Sequence, residues 1–124
     1  MRYVFGLCLV VLALIYSGKV HAEAVKIVCE FRFYSDLNGS SPVKDGFALT
    51  FQYDSISNDA FIIGNQGLSP VHLIRAESGM SFLEPLRTGA VQTTTVDSKM
   101  FVVHSRHTII NGNLEPSQYY GQCK

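Results

Sequence analysis

Phe47-Ala-Leu-Thr-Phe-Gln-Tyr-Asp54 sets an apolar side chain at every second position and a small or polar one between them. Successive side chains of a strand point to opposite faces. Phe47, Leu49, Phe51 and Tyr53 therefore share one face, with Ala48, Thr50, Gln52 and Asp54 opposite. The same alternation precedes it: Val25, Ile27, Cys29, Phe31 and Phe33 line one side, with Lys26, Glu30 and Arg32 on the other. Shorter runs follow at 60–63, 71–76, 80–83 and 90–96, then a long one at 101–110 and a closing one at 118–123. Between the runs stand Asn38-Gly39, Asp45-Gly46, Asn65-Gln-Gly67, Ser78-Gly79, Thr88-Gly89 and Asn111-Gly112, which supply the positive φ that tight turns need. Short strands at regular spacing with turn signals predict an all-β fold of about eight strands, a small antiparallel barrel or a sandwich. No segment carries a helical stripe; 115–120 would form a short turn at most. The longest polar stretch, 35–45, reads as a loop between the first two strands. The alternation predicts a core of Phe31, Phe33, Phe47, Leu49 and Phe51.

Ahead of the strands, Arg2 precedes an apolar run over 4–16, and Val20-His21-Ala22 follows. A positive start, a short apolar core and a small residue at the cut site are the parts of a secretory signal peptide. The run is short for a bilayer span. Residues 1–22 are thus expected to be removed as a signal peptide, leaving 23–124 as a single β-barrel-like domain in the periplasm or secreted. Loss of Arg2 and Lys19 leaves 8 Lys+Arg of the 10, against 10 Asp+Glu, a formal charge of −2. This excess of acid speaks against nucleic acid and against a polybasic membrane-surface binder.

The leader also takes Cys8 with it, so Cys29 and Cys123 remain. An even count in an oxidising compartment predicts a disulfide between them, closing nearly the whole domain. Two cysteines without a Cys–His cluster are weak metal ligands, and no metal or cofactor is expected.

The densest polar cluster is Val102-Val-His104-Ser105-Arg106-His107-Thr108. His104 and His107 are three apart and face opposite sides of a strand, so they cannot chelate one ion together. Ser105 and His107 share a face but have no evident orienting carboxylate, and a triad needs one. Catalysis is not expected. His104 and Arg106 share a face and are the candidate binding pair, against a purely structural role hydrogen-bonded to neighbouring strands. A hairpin through 97–99 brings either Thr93 and Thr95 or Gln92 and Thr94 beside them.

Ser81-Phe-Leu-Glu84, Thr88-Gly-Ala-Val-Gln-Thr-Thr-Thr-Val96, Val103-His-Ser-Arg-His-Thr108 and Pro116-Ser-Gln-Tyr-Tyr-Gly-Gln-Cys123 together resemble a group of small uncharacterised exported proteins of proteobacteria. That resemblance implies no activity. A looser one is to the periplasmic inhibitors of c-type lysozyme, small eight-stranded barrels that join an early and a late cysteine and insert a Ser-Gly-x-x-Tyr loop into the enzyme cleft. Ser78-Gly79-Met-Ser-Phe82 is similar to that loop, with Phe82 in place of Tyr; the family's Lys-Gly motif is not visible. The resemblance implies Ser78, Gly79 and Phe82 as a tip presented to a protein partner such as lysozyme. Three roles follow: a non-catalytic binding or envelope-associated module, a lysozyme inhibitor, or a lipocalin-like carrier of a small apolar ligand. In the last, Phe31, Phe33, Phe47 and Phe51 would line a cavity.

Overall fold

A computed structural model describes residues 22–124. The expected leader, apart from Ala22, lies outside the described residues. Eight strands run in chain order: β1 (Ala24–Asp36), β2 (Gly39–Asp54), β3 (Asp59–Gly64), β4 (Gly67–Ala76), β5 (Gly79–Pro85), β6 (Val91–Asp97), β7 (Phe101–Ile110) and β8 (Asn113–Cys123). Each pairs antiparallel with the next, and β8 pairs with β1, so the sheet closes into a barrel. Closure leaves no unpaired edge, which settles the barrel over the sandwich. Connections alternate between ends. The β1–β2, β3–β4, β5–β6 and β7–β8 hairpins lie at one end, called here the mouth; the other three turns and the chain termini lie at the base. At the β7–β8 tip, Asn111 and Gly112 both take positive φ (51° and 78°), as the Asn-Gly pair anticipates for a two-residue hairpin.

Cys29 and Cys123 are direct partners in the β1–β8 ladder and form the expected disulfide, with Cα atoms 3.9 Å apart. Val28 and Lys124 beside them exchange both backbone hydrogen bonds at 3.0 Å. The bond therefore joins the first and last strands where the barrel closes. Both cysteines belong to the core cluster, together with Ile27, Phe31, Phe51, Phe82, Val96 and Val102. Phe51 and Phe82 stack across the interior at 4.3 Å, and Phe31 stacks on Phe47 at 5.1 Å. Phe47 and Leu49 are half-buried against this cluster.

Two expectations need correction here. Phe33 is not core; it is 56% exposed. The pairing of β1 shifts between Phe31 and Phe33 against both neighbours. On β8 the partners are consecutive, Gly121 and Tyr120, so Arg32 is an extra residue and every later side chain of β1 changes face. Tyr34 takes the inward place and stacks on Tyr119 at 5.8 Å, while Phe33 meets Tyr120 outside. Gly121 makes room for this bulge, because a Cβ there would lie 1.8 Å from the carbonyl oxygen of Glu30. Residues 35–45, read as a loop, instead continue β1 and β2 to a tight turn at Leu37-Asn38. The strands are paired there, Tyr34 with Ser41 and Asp36 with Gly39, and polar side chains suit a hairpin that projects into water.

Candidate functional site

The β6–β7 register sets Thr94 opposite His104 and Gln92 opposite Arg106, the second of the two pairings anticipated. All four side chains share the inner face. His104 is only 1% exposed and lies among Phe31, Phe47 and Tyr119, with ring centroids 5.8–6.2 Å away. A buried imidazole needs both nitrogens satisfied. Arg106 Nε donates to His104 Nε2 at 3.2 Å, so Nε2 is the bare nitrogen. Nδ1 then carries the proton and donates to Thr94 Oγ1 at 2.7 Å. Desolvation, and secondarily the charge of Arg106, push the His104 pKa down to about 4. The ring is therefore neutral at pH 7.

Arg106 completes this arrangement at the mouth. Its guanidinium carbon lies 4.8 Å from the centre of the Phe47 ring and 5.1 Å from that of Tyr119, within cation–π reach of both. The side chain is half-buried. Among the described residues no carboxylate lies within ion-pair distance of it; the surface pair Lys124–Glu30, at 3.8 Å, is elsewhere. Register places Arg106 in an inward row, Glu84–Gln92–Arg106–Ser117–Asp36, with the two carboxylate residues two strands away on either side. The Asp36 carboxylate accepts the Asn38 backbone N–H at 2.8 Å. A cleft of about 250 Å³ at this end follows residues 35–37, 105–107 and 116–118, Arg106 among them. Such an arrangement presents an oriented, planar cation whose terminal N–H groups meet no protein acceptor among the described residues. It is suited to receive an oxyanion.

The other sequence candidates fall apart from this site. Ser78 is exposed in the β4–β5 turn at the base, where its carbonyl accepts the Ser98 N–H at 3.0 Å. Gly79 allows β5 to approach β6: a Cβ would lie 2.4 Å from the Val96 carbonyl oxygen. Phe82 is 2% exposed and stacked on Phe51, so its ring belongs to the core and not to a tip. Ser105 and His107 face outward, and Ser105 Oγ accepts from Gln118 Nε2 at 3.1 Å. No group of three or more metal-ligating side chains occurs among the described residues. Sequence reasoning missed Phe47 and Tyr119 as partners of Arg106, since they reach it from β2 and β8 only when the barrel closes. No family model, curated protein or solved structure matches this chain.

Proposed function

We propose that this chain is an exported, non-catalytic binding module whose recognition surface is the mouth of the barrel around Arg106. The observation that carries the reading is a half-buried guanidinium, held by Phe47, Tyr119 and His104, with no carboxylate beside it. A fixed cation without a counter-ion favours an anionic group from outside, because the ordering cost of the side chain is already met. The leader pattern and the Cys29–Cys123 bond support export to the periplasm or beyond. Among the described residues no helix is long and apolar enough to cross a membrane.

The other two roles draw less from the geometry. A lysozyme inhibitor of the resembled kind needs a ring at the tip, whereas Phe82 is packed inside. A carrier needs interior space, whereas Phe51 and Phe82 meet across the barrel.

Chemical-shift mapping of residues 23–124 with sodium acetate, at ionic strength matched with sodium chloride, tests the reading. Saturable shifts centred on Phe47, Arg106 and Tyr119, absent in Arg106→Gln, are expected. Shifts centred elsewhere, or unchanged in the variant, would refute it.

A further inference from the structure

The geometry points to a long-chain carboxylate, a singly charged amphiphile, as the ligand of this mouth, with its head on Arg106 and its chain against the hairpin tips. This deepens the anion-binding reading above and rests on it.

Three features of the mouth carry the inference. The first is the distribution of exposed apolar side chains. Scattered ones are ordinary on a protein surface. Here all four hairpins of the mouth carry at least one at or beside the turn: Leu37 (76% exposed), Leu68, Val91, and Ile110 with Leu114 (61%). By the same measure the base carries two, Ile56 in the β2–β3 turn and Phe101 beside the β6–β7 turn, and its β4–β5 turn carries none. Leu68, Val91 and Leu114 leave the outer face of the wall while Ile110 leaves the inner one, so apolar side chains border the mouth at its tips and outer edge, where an apolar partner can lie.

Charge is the second feature. Within the rim the inward row holds one cation, Arg106, without an ion-pair partner among the described residues. A ligand that matches both features joins one anionic group to an apolar chain. A neutral apolar molecule would leave the guanidinium unanswered, and a short anion would leave the rim in water.

The third feature limits the head. Glu84 and Asp36 flank Arg106 at two strands' distance in the same row. They narrow the favourable arc to the span from Gln92 to Ser117, where hydrogen bonding is available, and they repel added negative charge. A carboxylate, with one charge and two oxygens matched to the guanidinium fork, suits that arc better than a dianionic phosphate.

Calorimetric titration of residues 23–124 with sodium laurate, below its micelle-forming concentration, provides the test. Sodium acetate, dodecyl phosphate and the neutral dodecyl maltoside are the comparison probes. Laurate should bind about tenfold or more tightly than each of the three. Arg106→Gln should lose about tenfold for laurate, with Arg106→Lys between, since a lysine keeps the charge but not the fork. The rim variant Leu37→Ser/Leu114→Ser, whose side chains are exposed and so removable without unfolding, should weaken laurate several-fold and leave acetate unchanged. Equal affinity for laurate and acetate would overturn the amphiphile inference while leaving the anion-binding mouth standing. Equal binding of dodecyl maltoside and laurate, or laurate binding unaffected by Arg106→Gln, would overturn it by showing an apolar patch without head-group selection. Tighter binding of dodecyl phosphate would overturn the carboxylate assignment. Absence of binding by any probe would remove both the inference and the reading beneath it.

Discussion

Arg75 at the base and Arg106 at the mouth each lie over aromatic rings, and they differ in what their nitrogens do. The Arg75 guanidinium is 5.2 Å from the centre of the Tyr53 ring. Its terminal nitrogens donate to the backbone carbonyls of Asp54, Ser55 and Ser57, tying down the β2–β3 turn. The Asp54 carboxylate caps the same turn, accepting the Ser57 and Ile56 N–H groups at 2.7 and 2.8 Å, which holds it below its ordinary pKa. At the β6–β7 turn the Asp97 carboxylate accepts the Lys99 and Phe101 N–H groups, both at 2.9 Å. Arg106 spends one donor on His104 and leaves the rest free of protein acceptors among the described residues. An arginine whose terminal donors are taken up by carbonyls is a fastener, even though the buried Arg75 Nε meets no acceptor among the described residues. One held in place with donors to spare is equipped to bind. The same residue type thus does two jobs, and the register that surrounds it decides which.

Four measurements would break or sharpen this contrast. The largest effect is expected at the packed middle that both ends share. Phe82→Ala should cost about 3–5 kcal/mol in denaturant unfolding, as for other fully buried aromatics. A cost within about 0.5 kcal/mol would mean that Phe82 lies at a surface tip after all. Next comes the seam. Cys29→Ala/Cys123→Ala should cost about 2–5 kcal/mol, because the bridge spans 94 residues. An unchanged midpoint would show that the β1–β8 ladder closes the barrel unaided.

The third concerns pH. His104 is neutral when folded, with a pKa near 4 against 6.5 unfolded. Between these values the unfolded chain binds the extra proton, so stability is full above about pH 6.5 and falls as pH is lowered. The loss should reach about 3 kcal/mol by pH 4 and then level off, at 1.36 kcal/mol per pKa unit. His104→Gln should flatten that window; an unchanged slope would mean that the ring is not desolvated. The smallest effects compare the two arginines directly. Arg75→Gln should cost about 2 kcal/mol through its lost charged hydrogen bonds. Arg106→Gln should cost about 1 kcal/mol, from the cation–π contacts and the Nε–H donor to His104, which the glutamine amide replaces in part. The reverse order would make Arg106 the fastener.

The strands were legible because alternation and turn residues agree along most of the chain: the stripe from Phe47 to Tyr53 and the Asn111-Gly112 turn both appear where the sequence puts them. Phe33 was not, since nothing in Phe31-Arg32-Phe33 marks the extra residue. The bulge is fixed by Gly121, which arrives from the far end of the chain. His104 and Arg106 were legible as a pair on one face. Their inward direction was not, because β7 opens with Phe101-Val102-Val103, apolar on both faces, so parity alone does not choose. The segment read as a short turn at 115–120 lies within β8, which closure pairs on both sides. The clamp of Phe47 and Tyr119 around Arg106 joins β2, β7 and β8, and only barrel closure brings those together.

The most direct test of the claim that mouth and base have different roles is a chemical-shift map of the whole 23–124 domain titrated with sodium laurate. The account predicts perturbations confined to the mouth, at Leu37, Arg106, Leu114 and Tyr119, with Ser78, Lys99 and Cys29 unmoved. Perturbations gathered at the base, around Ser78 and Gly79, would contradict it.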